Sequence, residues 1–454
     1  MGRFAFASTL LLLAFNFRGI PGAPVDFSNI SSDPNALAIE SEAGTIEVDS
    51  RCSADMFYWY FPPINETLKN SPSTPVILWL AGGPGGSGLI SAFYEVGPLE
   101  LVGTSKLVRR NITWAETYHM IFVDSPVGTG YSYSRSYSCY AHDTEHDVTR
   151  QLNTFLTKFY DEVKPNLKGH PLFIVGESYA GHYVPAIGHY LFRNPIENVP
   201  LAGLAIGNGL TYPAYQVAVK ADVAYYFGLI GEDKLVEARG WARRSQRLAL
   251  NYDWEGSLEA REKLEDLIHQ ESGGVSLYDI RKMGSSSREL EHFANRPQVR
   301  EAFNVPERKF KNEYDVVDRM KKDIMRPLAK FIPPLLNASV PVLLWEGQMD
   351  VKDGFVGTEE WLKHIEWDGK AEYDNSTRKI WMGPWRPNEA RVVYGYSREG
   401  GSLTHFFDKV SFLSENGTTV VTRNAGHSVP IGQPQVAKQL IDDFISKSVK
   451  DRMQ

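Results

Sequence analysis

The chain has 454 residues, of which 43% are hydrophobic and 23% are charged. This composition is typical of a globular protein, and the length suffices for one large α/β domain with an insertion or for two domains. The formal net charge of −7 disfavours nucleic acid as a partner, because a protein that binds nucleic acid normally carries a basic surface.

The first 23 residues have the pattern of a secretory signal peptide. Arg3 precedes a short apolar run, residues 4–17, and small residues follow it. The run is shorter than the roughly 20 residues that a membrane-spanning helix needs, and we expect no membrane span elsewhere. We therefore expect residues 1–23 to direct the chain to secretion or to lysosomes; a buried N-terminal helix is the alternative.

Two further features bear on the compartment of the protein. Six Asn-x-Ser/Thr sequons follow the signal peptide, which predicts several N-linked glycans. The sequons are Asn29, Asn65, Asn111, Asn337, Asn375 and Asn416. The chain has only two cysteines, Cys52 and Cys139, and the sequence leaves open whether they form one disulfide or remain free thiols.

The pattern of apolar residues predicts a buried sheet. Residues 24 to about 50 are polar and rich in turn formers, which predicts a surface arm. Beyond them, six short and continuous apolar runs predict parallel strands that are covered on both faces. These runs are residues 76–80, 120–123, 172–175, 201–206, 342–345 and 419–422. Residues 435–445 predict a closing helix.

Between residues 212 and 325 the sequence changes character. Charged residues and strong helix formers dominate, and strand-like runs are absent. This pattern predicts a helical insertion between two parts of an α/β core, residues 24–211 and 326–454. The insertion could form a cap that shapes a substrate pocket, or it could be plain helical packing without a role at the site.

A nucleophile motif follows the third predicted strand. Residues 176–181 read Gly-Glu-Ser-Tyr-Ala-Gly and place a serine on a strand-to-helix turn. Small residues are needed on both sides of such a serine, because the strand and helix backbones nearly touch there. Gly176 and Ala180 meet this need, so we predict that Ser178 is a catalytic nucleophile. The fold that carries this motif is the α/β-hydrolase fold, a mostly parallel central sheet with helices on both faces, and we expect it here with a helical cap insertion.

A glycine-rich loop, residues 81–88, follows the first predicted strand. Glycines leave backbone N–H groups unobstructed, and such donors can each stabilise a developing oxyanion by roughly 3–4 kcal/mol. We assign the oxyanion hole to the N–H groups of Gly83 and Tyr179. A phosphate-binding loop is the alternative, but the Gly-Lys-Ser/Thr ending of such loops is missing.

The base and its orienting acid are expected later in the chain, in the order serine, acid, histidine. Asp350 lies just beyond the predicted strand 342–345, and His427 lies just beyond the strand 419–422. His427 would take the proton of Ser178, while Asp350 would hold the imidazole and stabilise its charged form. Asp353 is a nearby competitor for the role of the acid.

Further motifs resemble those of the serine carboxypeptidase family, and the chain is most similar to its vitellogenic-like branch. The resemblance covers residues from about 40 to 446. Beside the serine motif, it rests on Gly-Gly-Pro-Gly (82–85), Glu-Val-Gly-Pro (95–98), Asp-Ser-Pro-Val-Gly-Thr-Gly (124–130), Gly-Asn-Gly (207–209) and Gly-His-x-Val-Pro (426–430).

The resemblance implies a peptide substrate with a free carboxyl end. Two carboxylic acids, Glu95 and Glu177, are then expected to lie together beside the nucleophile and to bind the substrate carboxylate, with the N–H of Gly82 as a further contact. Like charges in close contact cannot both ionise cheaply, so one acid keeps its proton and can donate a hydrogen bond. The pair titrates as a unit, which implies activity favoured at acidic pH.

The chain departs from the family pattern at several positions around the expected site. The family usually has Asn at the position of Ala81, where its amide contacts the substrate carboxylate, and a large apolar residue at the position of Ser428. Gly432 stands in place of an acidic residue, and Glu346 in place of a small or amide residue. The hydrolytic residues are all present, so these departures bear on how the substrate carboxylate is recognised.

We predict a secretory-pathway serine carboxypeptidase that releases C-terminal residues through an acyl-enzyme intermediate, acting as a monomer or homodimer. An acyltransferase or esterase with the same triad and a non-catalytic secreted binding protein are the alternatives. We expect no metal and no organic cofactor. The sequence leaves open which C-terminal residue is preferred and whether a propeptide is cleaved from the insertion.

Overall fold

A computed structural model describes residues 22–284, 288–383, 392–399 and 418–452. Residues 1–21 of the predicted signal peptide and the sequon at Asn416 lie outside the described residues. Among the described residues, no helix is both long enough and apolar enough to cross a membrane.

The strands of the described residues form one large sheet and one small hairpin. They are β1 (Ala23–Pro24), β2 (Glu42–Asp49), β3 (Ala54–Phe61), β4 (Val76–Leu80), β5 (Leu99–Val102), β6 (Lys106–Arg109), β7 (His119–Val123), β8 (Leu172–Glu177), β9 (Leu201–Gly207), β10 (Val342–Gly347), β11 (Lys379–Met382), β12 (Val393–Glu399) and β13 (Thr418–Thr422). The large sheet has the order β1-β2-β3-β7-β4-β8-β9-β10-β13-β12-β11, and β5 pairs with β6.

The centre of the large sheet is parallel. The neighbouring pairs from β7 through β4, β8, β9 and β10 to β13 are all parallel, and each of these six strands contains one of the six predicted apolar runs. The strands outside them pair antiparallel. The carboxyl ends of the parallel strands therefore lie along one edge of the sheet, where ligands bind in sheets of this type.

The predicted surface arm over residues 24 to about 50 is wrong in its second half. Residues 42–49 form β2, which lies inside the sheet between β1 and β3. Glu42, Glu47 and Asp49 make its sequence look polar, but Ile46 and Val48 are buried. Backbone pairing along β3, all of whose residues are buried, supplies the order that the side chains of β2 do not predict.

Helices cover both faces of the sheet. They are α1 (Pro34–Leu37), α2 (Glu66–Lys69), α3 (Gly88–Tyr94), α4 (Thr149–Lys158), α5 (Ala180–Arg193), α6 (Pro213–Tyr226), α7 (Glu232–Leu250), α8 (Trp254–Glu271), α9 (Glu289–Ala294), α10 (Pro297–Ala302), α11 (Tyr314–Met320), α12 (Ile332–Asn337), α13 (Phe355–Leu362), α14 (Lys370–Asn375), α15 (Val429–Gly432) and α16 (Pro434–Arg452). The last of these contains the predicted closing helix.

Successive residues of the central strands belong to two different hydrophobic cores. In β4, Leu78 lies in the core that contains Val184 of α5, whereas Trp79 lies in the core that contains Phe444 of α16. Side chains alternate between the faces of a strand, so continuous apolar runs are required where both faces are covered. This explains why the parallel strands could be predicted from the sequence.

Helices α6 to α11 occupy the range predicted as an insertion, and its described residues contain no strand. Ala221 of α6, Ala238 of α7 and Leu264 of α8 are buried in the same core as α5. Helices α6, α7, α8 and α11 thus pack on the face of the sheet that carries α5, whereas Phe293 of α9 and Val299 of α10 lie in the other core. The exact boundaries 212 and 325 stay a prediction.

The two cysteines are joined. Cys52 and Cys139, which are 87 residues apart in sequence, form a disulfide, so the structure answers the question that the sequence left open. Both residues are buried. The bond ties the turn between β2 and β3 to the segment before α4.

Candidate active site

Ser178 lies at the sharp turn between β8 and α5. Its backbone has a φ of 64°, a left-handed conformation that costs a non-glycine residue roughly 1–3 kcal/mol. Backbone hydrogen bonds hold it there: the N–H of Ser178 donates to the carbonyl of Gly207 at 2.9 Å, and its own carbonyl accepts from Gly181 and Leu210, each at 2.9 Å. The side chain is partly exposed and lines a cavity at the carboxyl edge of the sheet.

The small residues around Ser178 are needed sterically. A Cβ on Gly176 would lie 2.6 Å from the Cβ of Ala180, and one on Gly181 would lie 2.7 Å from the backbone N and O of Leu210. Real Cβ atoms do not approach so closely, so the turn requires glycine at both positions. This is the physical reason for the motif that predicted the nucleophile.

Asp350 and His427 are in hydrogen-bond contact, as the sequence predicted. The Nδ1 of His427 lies 2.7 Å from the Oδ2 of Asp350, and both side chains are buried. Asp353, the competing acid, instead accepts a hydrogen bond from Arg261 at 3.2 Å. The geometry therefore favours Asp350 as the partner of the histidine.

The Nε2 of His427 is buried and has no hydrogen-bond partner among the described residues, so no Ser178–His427 hydrogen bond is formed in this state. Both side chains line the same cavity, which has a volume of about 410 Å³. Hydrogen bonds between catalytic groups are often long in ligand-free enzymes and shorten when substrate binds.

The imidazole of His427 has a raised pKa. Burial by itself would lower the pKa of His427, but the Asp350 carboxylate stabilises the imidazolium and the pKa is raised above its ordinary value. An orienting acid also fixes the tautomer, because an ionised Asp350 can only accept the Nδ1 proton. The Nε2 atom is then left as the proton acceptor.

The glycine-rich loop packs directly against Ser178. A Cβ on Gly82 would lie 2.5 Å from the Cβ of Ser178 and 2.7 Å from the backbone nitrogen of Tyr179. Gly83 has a φ of +114°, which a residue with a side chain rarely adopts. Within the described ranges, no hydrogen bond uses the N–H of Gly83 or of Tyr179, so both remain available to a ligand.

We expect Gly82→Ala to lower kcat by about 10²–10³-fold, because its methyl group would displace Ser178 and the Tyr179 N–H from their positions. The measurement is steady-state hydrolysis of a blocked dipeptide, with the melting temperature recorded in parallel. Gly240→Ala is the matched control: a Cβ there meets nothing within 4 Å, so activity should be unchanged. Wild-type kcat in Gly82→Ala would contradict this geometry.

The two predicted glutamates meet on one side of the cavity, where Ser428 bridges them. The hydroxyl of Ser428 lies 2.6 Å from Oε1 of Glu177 and 3.3 Å from Oε1 of Glu95. Both glutamates are buried. Their Oε2 atoms have no hydrogen-bond partner within the described part of the chain.

Both members of this pair hold their protons more tightly than ordinary glutamates. Burial raises the pKa of Glu95, although hydrogen bonds from Ser91 and Ser428 offset part of the effect. Burial and the charge of Glu95 raise the pKa of Glu177 well above its usual range. One proton is thus retained by the pair under conditions where isolated glutamates would ionise.

Two residues of the site were not assigned a role from the sequence. Asn208 follows β9, and its side-chain N–H donates to Oδ2 of Asp350 at 2.7 Å while its Oδ1 accepts from the N–H of Gly347 at 3.0 Å. Its place directly after a parallel strand, within a motif already noted, was a usable signal. Ser428 was noted only as a departure from the family, because no sequence pattern shows that it reaches both glutamates.

The region predicted as a cap contributes one wall of the cavity. Tyr278, Lys282 and Glu313 line it, and the Tyr278 ring packs edge-on against His427 at 4.9 Å. The backbone N–H of His427 also donates to the backbone carbonyl of Tyr278 at 2.7 Å. These contacts favour the cap interpretation over plain helical packing.

Potential metal ligands gather at one place in the described part of the chain. Asp49, Cys52 and Cys139 have ligand atoms within 4.8 Å of one another. Because the two sulfurs are joined in the disulfide, they are not available as thiolate ligands. This group lies apart from the residues that line the cavity.

A serine on a strand-to-helix turn, an Asp-bound histidine after a later strand and a mostly parallel sheet define a serine hydrolase of the α/β-hydrolase fold. Residues 32–447 match the family model described as serine carboxypeptidase, and the chain belongs to that family. It is accordingly a hydrolase of the serine-type carboxypeptidase class, which confirms the resemblance drawn from the motifs.

Relatives of similar length come from plants and insects. The chain is 32% identical to serine carboxypeptidase-like 50 of Arabidopsis thaliana, over 90% of this chain and 88% of the relative. It is 32% identical to the venom serine carboxypeptidase of Apis mellifera (90% and 84% covered) and 31% identical to the vitellogenic carboxypeptidase of Aedes aegypti (91% and 85% covered). A crystal structure of a prohormone-processing carboxypeptidase from Saccharomyces cerevisiae superposes with a TM-score of 0.78 at 21% identity, covering 94% of this chain and 96% of that one, which shows the shared fold.

Proposed function

We propose that the protein removes C-terminal residues from peptides with Ser178, His427 and Asp350 as its catalytic triad. The observation that carries the proposal is the 2.7 Å contact between His427 and Asp350 at the cavity that Ser178 also lines. Family membership supports the reaction class, and the geometry supports these three residues as its agents.

The reaction would proceed through an acyl-enzyme. The Oγ of Ser178 attacks the carbonyl carbon of the last peptide bond as its proton passes to Nε2 of His427. The C–N bond then breaks, and His427 returns that proton to the leaving amino group of the released residue. Water attacks the acyl carbon in the same way, its proton moving through His427 to Ser178 Oγ, and the shortened peptide leaves with a new carboxylate.

The N–H groups of Gly83 and Tyr179 would stabilise the oxyanion in each tetrahedral intermediate. Neither N–H makes a hydrogen bond within the described ranges; Tyr179 directly follows Ser178 in the chain, and Gly83 lines the same cavity as Ser178. The phenol of Tyr179 donates to Oδ2 of Asp323 at 2.6 Å, which anchors the residue that supplies the second donor. Preorganised donors of this kind need no rearrangement when the negative charge develops.

The glutamate pair would select substrates with a free carboxyl end. A protonated carboxyl group can donate a hydrogen bond to the substrate carboxylate, and the N–H of Gly82 can donate another. Ionisation of both Glu95 and Glu177 would repel that carboxylate. This supports activity at pH values low enough for the pair to keep a proton.

We also propose that the protein acts in the secretory pathway, outside the cell or in lysosomes, as a glycoprotein and as a monomer or homodimer. The five described sequon asparagines, Asn29, Asn65, Asn111, Asn337 and Asn375, are all exposed. An oxidising compartment agrees with the Cys52–Cys139 disulfide. The names of the venom and vitellogenic relatives agree with this compartment.

Three matched substrates test the proposed specificity: one blocked dipeptide with a free C-terminus, its C-terminal amide and its methyl ester. We expect the free acid to be cleaved with the highest kcat/KM at pH 5, and all turnover to disappear in Ser178→Ala. Equal turnover of the ester and the free acid would favour an esterase. Transfer of the acyl group to added alcohol in preference to water would favour an acyltransferase, and no turnover with no fluorophosphonate labelling would favour a binding protein.

A further inference from the structure

Buried charged side chains connect the insertion to the loop that carries Asp350. Two helices of the insertion, α6 and α8, and the loop after β10 contribute them, and we call the set the charge network: Lys220, Arg261, Glu265, Lys352 and Asp353. Four of the five side chains are at most 13% exposed, and that of Lys352 is 23% exposed. None of these residues lines the cavity that holds Ser178.

Glu265 is the centre of the charge network. Its Oε1 accepts hydrogen bonds from Nζ of Lys220 and, at 3.0 Å, from Nε of Arg261. Its Oε2 accepts from Nζ of Lys352 at 2.6 Å. Arg261 extends the network by donating from Nη2 to Oδ1 of Asp353 at 3.2 Å.

The two members of the charge network that lie on the loop after β10, Lys352 and Asp353, also contact Asp350, the proposed catalytic acid. The backbone N–H of Lys352 donates to Oδ1 of Asp350 at 2.7 Å, and that of Asp353 lies 3.3 Å from both carboxylate oxygens. The backbone N–H of Lys352 also lies 2.9 Å from the carbonyl of Leu277 in the insertion. Displacement of either side chain in the charge network would therefore move the donors that orient Asp350.

The charges balance only when Asp350 is counted. The charge network has three cations and two carboxylates, and an ionised Asp350 supplies the third negative charge. Burial raises the pKa of the neighbouring Glu346 and Glu177 well above the usual range, which favours the neutral form of both carboxyl groups beside Asp350. Tyr278, whose ring lies 5.5 Å from Nζ of Lys352, also has a raised pKa and is neutral.

Stability is a weak explanation for such an arrangement. Taking several charges out of water costs about as much as their attraction returns, and apolar side chains of the same size would hold two elements together equally well. What apolar side chains cannot supply is a fixed electrostatic environment for an ionised Asp350 and for the imidazole that it contacts. The pKa of His427 responds to both loop members: Asp353 raises it and Lys352 lowers it.

We propose that the charge network positions Asp350 against His427 and balances the charge of Asp350. The insertion would then contribute to the function of the triad in addition to forming a wall of the cavity. This inference rests on the triad proposed above. Lys352, Asp353, Arg261 and Glu265 are on this view positioning residues, since none of them lines the cavity where substrate would bind.

Two substitutions of opposite charge test the inference. Removal of a cation in Lys352→Met leaves excess negative charge near His427, so the acid limb of kcat/KM should move to higher pH. Removal of an anion in Asp353→Asn should move it to lower pH, each by roughly 0.5–1 pH unit. We expect kcat to fall about tenfold or more in both variants, with a smaller change in KM.

Two further variants separate positioning from loss of packing. Lys352→Arg keeps the charge and should keep the wild-type midpoint of the acid limb. Glu271→Gln removes a carboxylate from α8 that is not part of the charge network: its Oε1 lies 3.4 Å from Nζ of Lys234. This variant should match the wild type in kcat and pH profile. If Asp353→Asn does not fold, the comparison of Lys352→Met with Lys352→Arg decides the question alone.

The inference would be overturned if Lys352→Met had the same pH profile as Glu271→Gln and differed only in a lowered melting temperature. The charge network would then have a structural role only. The wild type is assayed first, with Ser178→Ala as the blank. Absence of Ser178-dependent turnover in the wild type would overturn the proposed triad itself. Normal wild-type turnover with unshifted variants would overturn only the role of the charge network.

Discussion

His427→Ala is expected to lower kcat by roughly 10⁶-fold, because the proton of Ser178 then has no acceptor within reach. Asp350→Asn should cost about 10⁴-fold, since an amide in place of the carboxylate favours the wrong imidazole tautomer and cannot stabilise the imidazolium. Asp350→Asn keeps the size of the side chain, whereas His427→Ala removes the imidazole and its contact with Asp350. The measurement is kcat for a blocked dipeptide with a free C-terminus, with folding checked by melting temperature.

The chain provides its own control for these substitutions. His146 also pairs with an aspartate, Nδ1 lying 3.2 Å from Oδ1 of Asp143, but this pair is on the surface. His146→Ala should keep full activity. A loss of less than tenfold in a folded His427→Ala variant would mean that another group activates Ser178.

Replacement of both paired glutamates, Glu95→Gln with Glu177→Gln, is expected to remove the alkaline limb of kcat/KM for substrates with a free carboxylate. In the wild type, that limb should appear where the pair loses its last proton and begins to repel the substrate. The pKa of both groups is raised, so the limb lies above the usual range of glutamate titration. An amide group cannot ionise, and it can still donate a hydrogen bond, so the variant should bind free acids at neutral pH.

The same pair predicts how stability depends on pH. Because the folded protein holds these protons more tightly than the unfolded chain, their contribution to stability is complete below the unfolded pKa and is lost as pH rises through the folded pKa. The double variant should therefore lose less melting temperature than the wild type between pH 4 and pH 8.

Glu346→Gln is the matched control for the pair, because Glu346 is also buried with a raised pKa but is bonded to Thr358 at 2.7 Å on the side of the acid loop. We expect the alkaline limb for free-acid substrates to survive in this variant. Turnover of the C-terminal amide should show no alkaline limb of this origin in any variant. An unchanged alkaline limb in the Glu95→Gln, Glu177→Gln double variant would refute the proposed role of the two glutamates.

The parallel centre of the sheet was predictable because both of its faces are buried. A strand such as β4, with Leu78 and Trp79 in different cores, must be apolar at every position, and that pattern stands out in a sequence. Among the outer strands, β3 also meets this condition, since all of its residues are buried, but β2 and β11 do not. Partly exposed acidic residues such as Glu47 in β2, and exposed residues such as Lys379 in β11 (Lys379–Met382), interrupt the apolar pattern. The place of these two strands therefore depends on backbone pairing with neighbours that the sequence does not display.

The positions of Ser178, Asp350 and His427, the proposed triad, were predictable for a related reason. Parallel strands deliver their carboxyl ends to one edge, so polar residues just after β8, β10 and β13 must approach each other. The sequence could not show which acid contacts His427, since Asp350 and Asp353 are three residues apart and only the folded loop separates them. The bridge from Ser428 to both glutamates and the central position of Glu265 depend on side-chain directions in three dimensions.

Digestion of a mixed pool of linear peptides between pH 4 and pH 7, read by mass spectrometry, tests the central claim most directly. We expect stepwise loss of single residues from the carboxyl ends, slower loss from amidated peptides, and no products with Ser178→Ala. Internal cleavage, removal of N-terminal residues, or C-terminal trimming that persists in Ser178→Ala would contradict the account.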